Sequence, residues 1–392
     1  MTKRSPLLLL AALAVCISMA FQILLSVAPV IAERSGPHGI AGAATAALFI
    51  GAATGELSTP WLMSRLRTTH LLVGGQLLTA FPSLVYLFPH AGLWPLLVAT
   101  SARGLGMGVA IVVSVAVLSE LTAPNRRGRA IGYYGLALSV PGIFVPSLGV
   151  FLLAQGRADI DALVAFGAGL AGAVIALRVP ERPAHLAQAS SNLLDAMRRP
   201  GLLIVFGGFI LMSCSFGGVI TYAPVALPLE GLGSAASFLL VSGVARAASR
   251  WLAGVLGDRG SARVVLLAGA AVSFIGLVVL ALHDGPLTVL VAAALYGTGF
   301  GAIQTASFLA MSERGTASDA GAISALWNSG IDVGGSLGGT LLGLAAASYG
   351  YGAAVWVLPV VAAISLPLFV WPSRPITTPA ADAEAFARAE LP

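Results

Sequence analysis

The sequence predicts an all-α membrane protein of twelve transmembrane helices, arranged as two pseudo-symmetric six-helix bundles. Three observations carry this. Charged residues make up only 9% of the 392, against about 25% in soluble proteins. Long apolar runs recur, each near the roughly 20 residues that a helix needs to cross the hydrocarbon layer. Landmarks of the first half return in the second at a nearly constant offset.

The composition excludes several classes at once. With 57% hydrophobic residues, the chain has too little charge to clothe a water-soluble globule, so its main solvent is lipid. Its two cysteines, Cys16 and Cys214, exclude a disulfide scaffold and any cysteine-based zinc or iron–sulfur site. The 47 glycines suit helix backbones that pack closely in a membrane. The net charge of +5 is spread in short clusters between apolar runs and forms no patch, so no nucleic-acid partner is expected.

The elements follow in order. The first run, 7–32, comes after Lys3 and Arg4. It is too long for a signal-peptide core, and Pro29 follows the one tempting cleavage position at Ala28, so it reads as a retained span. Spans 2–6 are placed at 41–63, 71–89, 94–118, 130–154 and 160–178. The longest internal polar stretch, 179–201, has a proline-rich start and an amphipathic middle. It reads as a linker with a short surface helix, dividing bundle 1–178 from bundle 202–372. Spans 7–12 are placed at 202–224, 234–256, 263–282, 286–311, 320–347 and 352–372, with a tail at 373–392. None of these runs alternates, which favours helices over barrel strands.

Charge sets the orientation. With the N-terminus in the cytoplasm, 16 of the 21 lysines and arginines lie in inside segments. Only Arg34 and Arg157 fall outside, and Arg103, Arg246 and Arg250 lie within spans. That asymmetry puts both termini in the cytoplasm. The expected setting is the plasma (inner) membrane of a bacterium, crossed many times.

The repeat is visible in four places. Pro29 answers Pro224 at an offset of 195, and RGLGMG at 103–108 answers YGTGFG at 296–301 at 193. Ser119-Glu120 answers Ser312-Glu313 at 193, and Ser64-Arg65 answers Asp258-Arg259 at 194. Two parallel repeats of six helices place a central cavity between them, near the bilayer midplane.

These residues carry a resemblance to the twelve-helix major facilitator superfamily, over about 7–372. GVLGDRGSAR at 254–263 is similar to that family's loop signature of glycine, acid and closing basic residues. At the matching place after span 2, Ser64 stands where the acid would be. RGLGMG resembles the family's span-4 arginine motif, SVPGIFVPSLG at 139–149 the Gly/Pro motif of span 5 in proton-driven exporters, and APVIAERSG at 28–36 the end of span 1 in drug exporters. The resemblance implies solute transport by alternating access, with drug/proton antiporters the nearest subgroup.

Candidate residues follow. Gly254, Asp258, Arg259 and Arg263 form an expected cytoplasmic gate. A carboxylate at 258 would accept from the exposed N–H groups at the start of span 5, and the arginines would hold loop acids or anionic lipid heads. In span 5, Pro141, Gly142, Pro146 and Gly149 are expected to bend the helix and let it pack on the opposite half; tolerated kinks in ordinary packing are the alternative.

A charge at mid-membrane costs about 2.5–3.5 kcal/mol on the mildest scale. Glu56, Arg103, Arg246, Arg250 and Asp332 should therefore line the cavity or pair with one another. Arg250 is expected to snorkel to the interface or to pair with Glu56. Asp332 is the first choice for a proton-carrying carboxylate, Glu56 the second, with Arg103 approaching in one conformation only. Gln22, Tyr222, Gln304, Trp327 and Asn328 could each offer a ligand a hydrogen bond or a ring face, although helix–helix contact is the commoner use. His38, His70, His90, His185 and His283 are all placed in loops, so no histidine proton relay is expected. No GxxxxGK[ST] loop and no catalytic constellation is found, so neither ATP chemistry, an enzyme activity, a metal nor a cofactor is expected.

The expected function is proton-coupled export of a small organic molecule by an antiporter working as a monomer, with protons and membrane lipids as its other partners. Uptake of a small anionic solute is the alternative within transport. A transporter-like sensor without turnover is the alternative of another class.

Overall fold

The computed structural model describes residues 6–88, 92–123, 127–181, 198, 200–259, 261–314 and 320–370. Among them every regular element is helical. Among the described residues, eleven helices are long and apolar enough to cross a membrane. The twelfth span, Ala41–Met63, is long enough but rich in Ala, Gly and Thr. Its physical reason is its place: it packs on span 4 on one side and on span 11 on the other, so much of its surface meets small side chains rather than lipid.

Most spans are single helices: Leu93–Leu121 (span 4), Ala158–Ala176 (6), Pro200–Ala226 (7), Ala235–Arg259 (8), Ala262–Ala281 (9), Pro286–Ser312 (10) and Ala320–Tyr349 (11). Span 3 runs Thr68–Ser83 and ends in a 3-10 turn, Leu84–Leu87. It starts earlier than expected, which corrects one placement: His70 lies in the first turn of span 3, not in a loop.

Three spans are broken. Span 1 is Pro6–Leu25 and Val27–Ser35. Pro29 has no N–H for the carbonyl of Leu25, so the ladder fails at Ser26. Span 5 is Arg127–Ser139 and Pro141–Ala154; Val140 between them keeps helical angles, but Pro141 has no N–H for the carbonyl of Ala137, so the ladder is interrupted there. Span 12 is Tyr351–Ala354 and Val357–Val370. The expected surface helix at 182–197 and the tail from 371 lie outside the described residues.

The two halves share one packing plan. Span 2 lies on span 4 and span 3 on spans 4 and 6; equivalently, span 8 lies on span 10 and span 9 on spans 10 and 12. The halves meet through spans 2 and 11 and through spans 5 and 8.

Spans 6 and 7 are joined at what we call the linker side; the opposite face is the far side. The close contacts between halves lie toward the far side. A Cβ on Gly42 of span 2 would stand 2.1 Å from the Gly339 carbonyl oxygen of span 11, so only glycine allows that approach. Thr45 and Thr221 share a hydrogen bond of 2.6 Å, and Ser147 donates to the Ala236 carbonyl at 2.8 Å. On the linker side, Gly132 and Gly135 of span 5 have nothing within 4 Å of a built Cβ. Tyr133 and Leu136 beside them are exposed, as are Trp251, Leu252 and Leu256 of span 8. The described close contacts between the halves thus gather toward the far side.

Candidate functional site

Spans 2 and 11 run antiparallel with a readable register. Thr45 lies against Gly339 and the Phe49 ring against Gly335. Asp332 follows one turn toward the linker side, and Glu56 lies two turns from Phe49 in the same direction. The two carboxylates, one from each half, fall within electrostatic reach of each other. Asp332 is buried, and its Oδ2 has no hydrogen-bond partner. No arginine is ion-paired with either acid among the described residues. The expected Glu56–Arg250 pair is therefore not formed.

Arg103 is placed elsewhere. It is fully buried inside the first half. Its Nη2 donates to the carbonyls of Ala20 at 2.8 Å and Phe21 at 3.2 Å on span 1. Its guanidinium stands 5.6 Å from the centre of the Tyr86 ring, whose hydroxyl is tied to Thr100 at 2.6 Å. Nε and Nη1 have no partner. The arginine thus anchors span 1 just before its break at Ser26, and in this conformation it is not ion-paired with Asp332.

Arg246 bridges the halves. Pro146 lacks the N–H that would bond the carbonyl of Gly142 four residues earlier. Arg246 Nη2, from span 8, donates to that freed carbonyl at 3.2 Å. The same guanidinium lies 5.4 Å from the Phe216 ring centre. Gln22 of span 1 reaches the same spot, its Nε2 3.1 Å from where a Gly142 Cβ would be. Gln22, Gly142, Pro146 and Arg246, four separate candidates in the sequence, thus form one junction of spans 1, 5 and 8. Gly149 packs a turn further on, against the Ile23 carbonyl, and Pro141 starts the second half of span 5. Arg250 lies near enough for the charge of Arg246 to act on it.

An aromatic ladder flanks Arg246. Phe49 of span 2 meets Phe216 edge-on at 6.2 Å, Phe216 stacks on Phe300 at 5.4 Å, and Phe300 on Tyr296 at 5.8 Å. Sequence reasoning missed these rings, because an aromatic in an apolar run looks the same whether it meets lipid, core or cavity.

The uncharged candidates mostly bind their own half. Trp327 stacks on Phe209 at 5.4 Å and donates to the Gln304 carbonyl and to Ser307, each at 3.1 Å. Asn328 uses its amide on the Ser324 carbonyl of its own helix, at 2.9 Å. Tyr222 and Gln304 are buried, and the Gln304 Oε1 has no partner. At the expected gate, Gly254 and Gly257 lie against span 10. Arg263 donates to the Val370 carbonyl at the end of span 12. The side chains of Asp258 and Arg259, and of 124–129 at the start of span 5, lie outside the described residues. Among the described residues no group of side chains could hold a metal ion.

Comparison with known proteins agrees with this architecture. The family model for the Major Facilitator Superfamily matches residues 10–339 and 252–391. A bacterial homologue of the human lysosomal transporter Spinster, in an inward-facing and occupied conformation, superposes with a TM-score of 0.72 at 15% identity. That match covers 93% of this chain and 95% of the other. The nucleoside transporter NupG gives 0.73 at 10% identity, over 94% and 98%. No curated protein matches the chain in sequence. The chain belongs to the Major Facilitator Superfamily and is a membrane transporter rather than an enzyme.

Proposed function

We propose that this protein is a proton-coupled exporter of a small organic molecule in the plasma (inner) membrane of a bacterium, with its linker side and both termini in the cytoplasm. The observation that carries the coupling is the Glu56–Asp332 pair. Two carboxylates brought together where water is scarce are favoured when they hold a proton between them. Substrate that enters from the linker side displaces this proton into the cytoplasm, and once the far side has opened and released the substrate the parted acids take up a proton from outside. An exchange cycle needs this alternation, with substrate entering from the linker side as the structure stands. The positive-inside count supports the orientation, and the span-5 prolines, so like those of exporters, support the direction. The Gly254–Arg263 loop serves as the gate that closes the linker side in the opposite state, and one chain suffices for the cycle.

A second reading, uptake of a small anion, is favoured by Arg246 and Arg250, which lie close together with no acid ion-paired to them among the described residues. One experiment separates the readings: flux of a compound panel in inverted vesicles carrying an acid-inside gradient. Export appears as uptake of an organic compound that an uncoupler abolishes. Anion import appears as efflux of a preloaded anion. No flux of any compound leaves a sensor without turnover.

A further inference from the structure

Between spans 5 and 8, toward the far side, a groove of about 540 Å³ opens on the surface of the molecule. Its walls come from opposite halves: Phe144, Leu148 and Phe151 of span 5, and Leu240 of span 8. All four side chains are exposed, and both spans are long and apolar enough to lie in lipid. Ser147, which is buried, lines the groove as well and donates to the Ala236 carbonyl at 2.8 Å. The groove therefore lies on a contact between the halves, and the transport cycle above does not use it.

The polarity of the lining is graded along the spans. Phe144 lies deepest in span 5, and the helix ends on the far side at Ala154. Those ten residues rise about 15 Å at 1.5 Å each, half of the roughly 30 Å hydrocarbon layer. Gln155, Glu230 and Ser237 form the lip of the groove at that end. The groove is thus one leaflet deep, apolar where acyl chains lie and polar where headgroups lie. Among the described residues Glu230 is the one charged residue lining it; it is exposed, and no ion pair holds it. Arg157, in the loop beside Gln155, is paired with Asp159 at 3.5 Å instead.

We propose that this groove seats one phospholipid of the far-side leaflet whose headgroup carries a primary amine. An acyl chain fills the apolar part, against the rings of span 5 and Leu240. At the lip, Gln155 and Ser237 offer donors to the phosphate oxygens, and the Glu230 carboxylate receives the ammonium. A headgroup of net negative charge would stand against Glu230 with nothing to offset it, so the acid selects the amine lipid over a phosphoglycerol one. Because its walls come from spans 5 and 8, the lipid touches both halves at once and favours the arrangement in which they meet. The inference holds whichever side of the membrane the far side faces, so it does not rest on the transport reading above.

The test is native mass spectrometry of the full chain in detergent, titrated with phosphatidylethanolamine or with phosphatidylglycerol of the same acyl chains. One ethanolamine lipid should bind, more tightly than the glycerol lipid. Glu230→Gln should cut the ethanolamine-lipid affinity about 1.5- to five-fold, the worth of one exposed ion pair, and leave the glycerol lipid bound as well or better. Leu240→Trp, which fills the apolar part, should weaken both lipids, whereas Leu163→Trp, at an exposed position of span 6, should weaken neither. A second readout uses Thr221→Cys in a chain whose Cys16 and Cys214 are replaced by alanine. Thr221 is buried against Thr45 of the other half, so an impermeant maleimide reaches position 221 only when the far side opens. Ethanolamine lipid in the vesicles should slow this labelling, and Glu230→Gln should lessen the slowing. Ethanolamine-lipid binding that is unchanged in both Glu230→Gln and Leu240→Trp overturns the site, and equal loss of both lipids in Glu230→Gln overturns the amine headgroup. A dimer that Leu240→Trp abolishes would overturn the lipid in favour of a second copy of the chain.

Discussion

Replacing Gly42 by alanine should force the far side open. The added Cβ would sit 2.1 Å from the Gly339 carbonyl oxygen and 2.9 Å from the Gly343 Cα, well inside the 3.4–4 Å of ordinary contact. Both neighbours are backbone atoms, so no side-chain rotation relieves the clash, and spans 2 and 11 must part. Overpacking of this kind costs about 1–3 kcal/mol, or roughly a 5- to 150-fold shift in population toward the far-side-open state. The clash is absent in that state, so the shift is not lost in both. The assay is external labelling of Thr221→Cys, compared with and without Gly42→Ala. Gly74→Ala is the control, since nothing lies within 4 Å of its Cβ position. The expected result is a several-fold or larger rise for position 42 and none for position 74. A properly inserted Gly42→Ala protein that labels like its parent would refute the reasoning that this glycine contact closes the far side.

The junction of spans 5 and 8 makes a coupled pair of variants informative. Arg246→Ala removes a charged hydrogen bond to a carbonyl that has no helical partner, and should weaken far-side closure by about 1.5–3 kcal/mol. Pro146→Ala returns the missing N–H to that carbonyl, so in its background Arg246→Ala should cost clearly less; equal labelling changes in both backgrounds would show that the freed carbonyl is not what Arg246 holds. Arg103 should behave as a structural cation: Arg103→Lys keeps the buried charge but loses the fork on Ala20 and Phe21, so it should lower the melting temperature in detergent more than Arg103→Met. A stable Arg103→Lys protein beside an inactive but stable Arg103→Met protein would move the arginine into the transport machinery.

Much of the architecture was legible because lipid imposes strict length and polarity limits on each span. The six-plus-six division followed from the offsets, and the breaks near Pro29 and Pro141 have a local cause in proline. Glu56 and Asp332 stood out as acids in apolar runs, and Asp332 is buried on span 11 while Glu56 is half-buried on span 2. Their mutual approach was not legible, because it depends on how two halves dock rather than on either span. Arg103 stood out for the same reason as the acids, yet its partners are backbone carbonyls of span 1, and every helix offers carbonyls without any sequence mark. Arg246 joined Gly142 through the geometry that Pro146 creates, so the proline was visible and its cross-half partner was not.

The most direct test of the central claim is uphill transport by the carboxylate variants. The compound found in the vesicle panel is measured in two modes: accumulation on an acid-inside gradient, and counterflow exchange without one. If Asp332 carries the coupling proton with Glu56 as its neighbour, Asp332→Asn should lose accumulation entirely yet keep counterflow, because substrate still passes through an alternating cavity. Uphill accumulation that persists in both Asp332→Asn and Glu56→Gln, at the wild-type rate and with unchanged pH dependence, would contradict carboxylate coupling at this site.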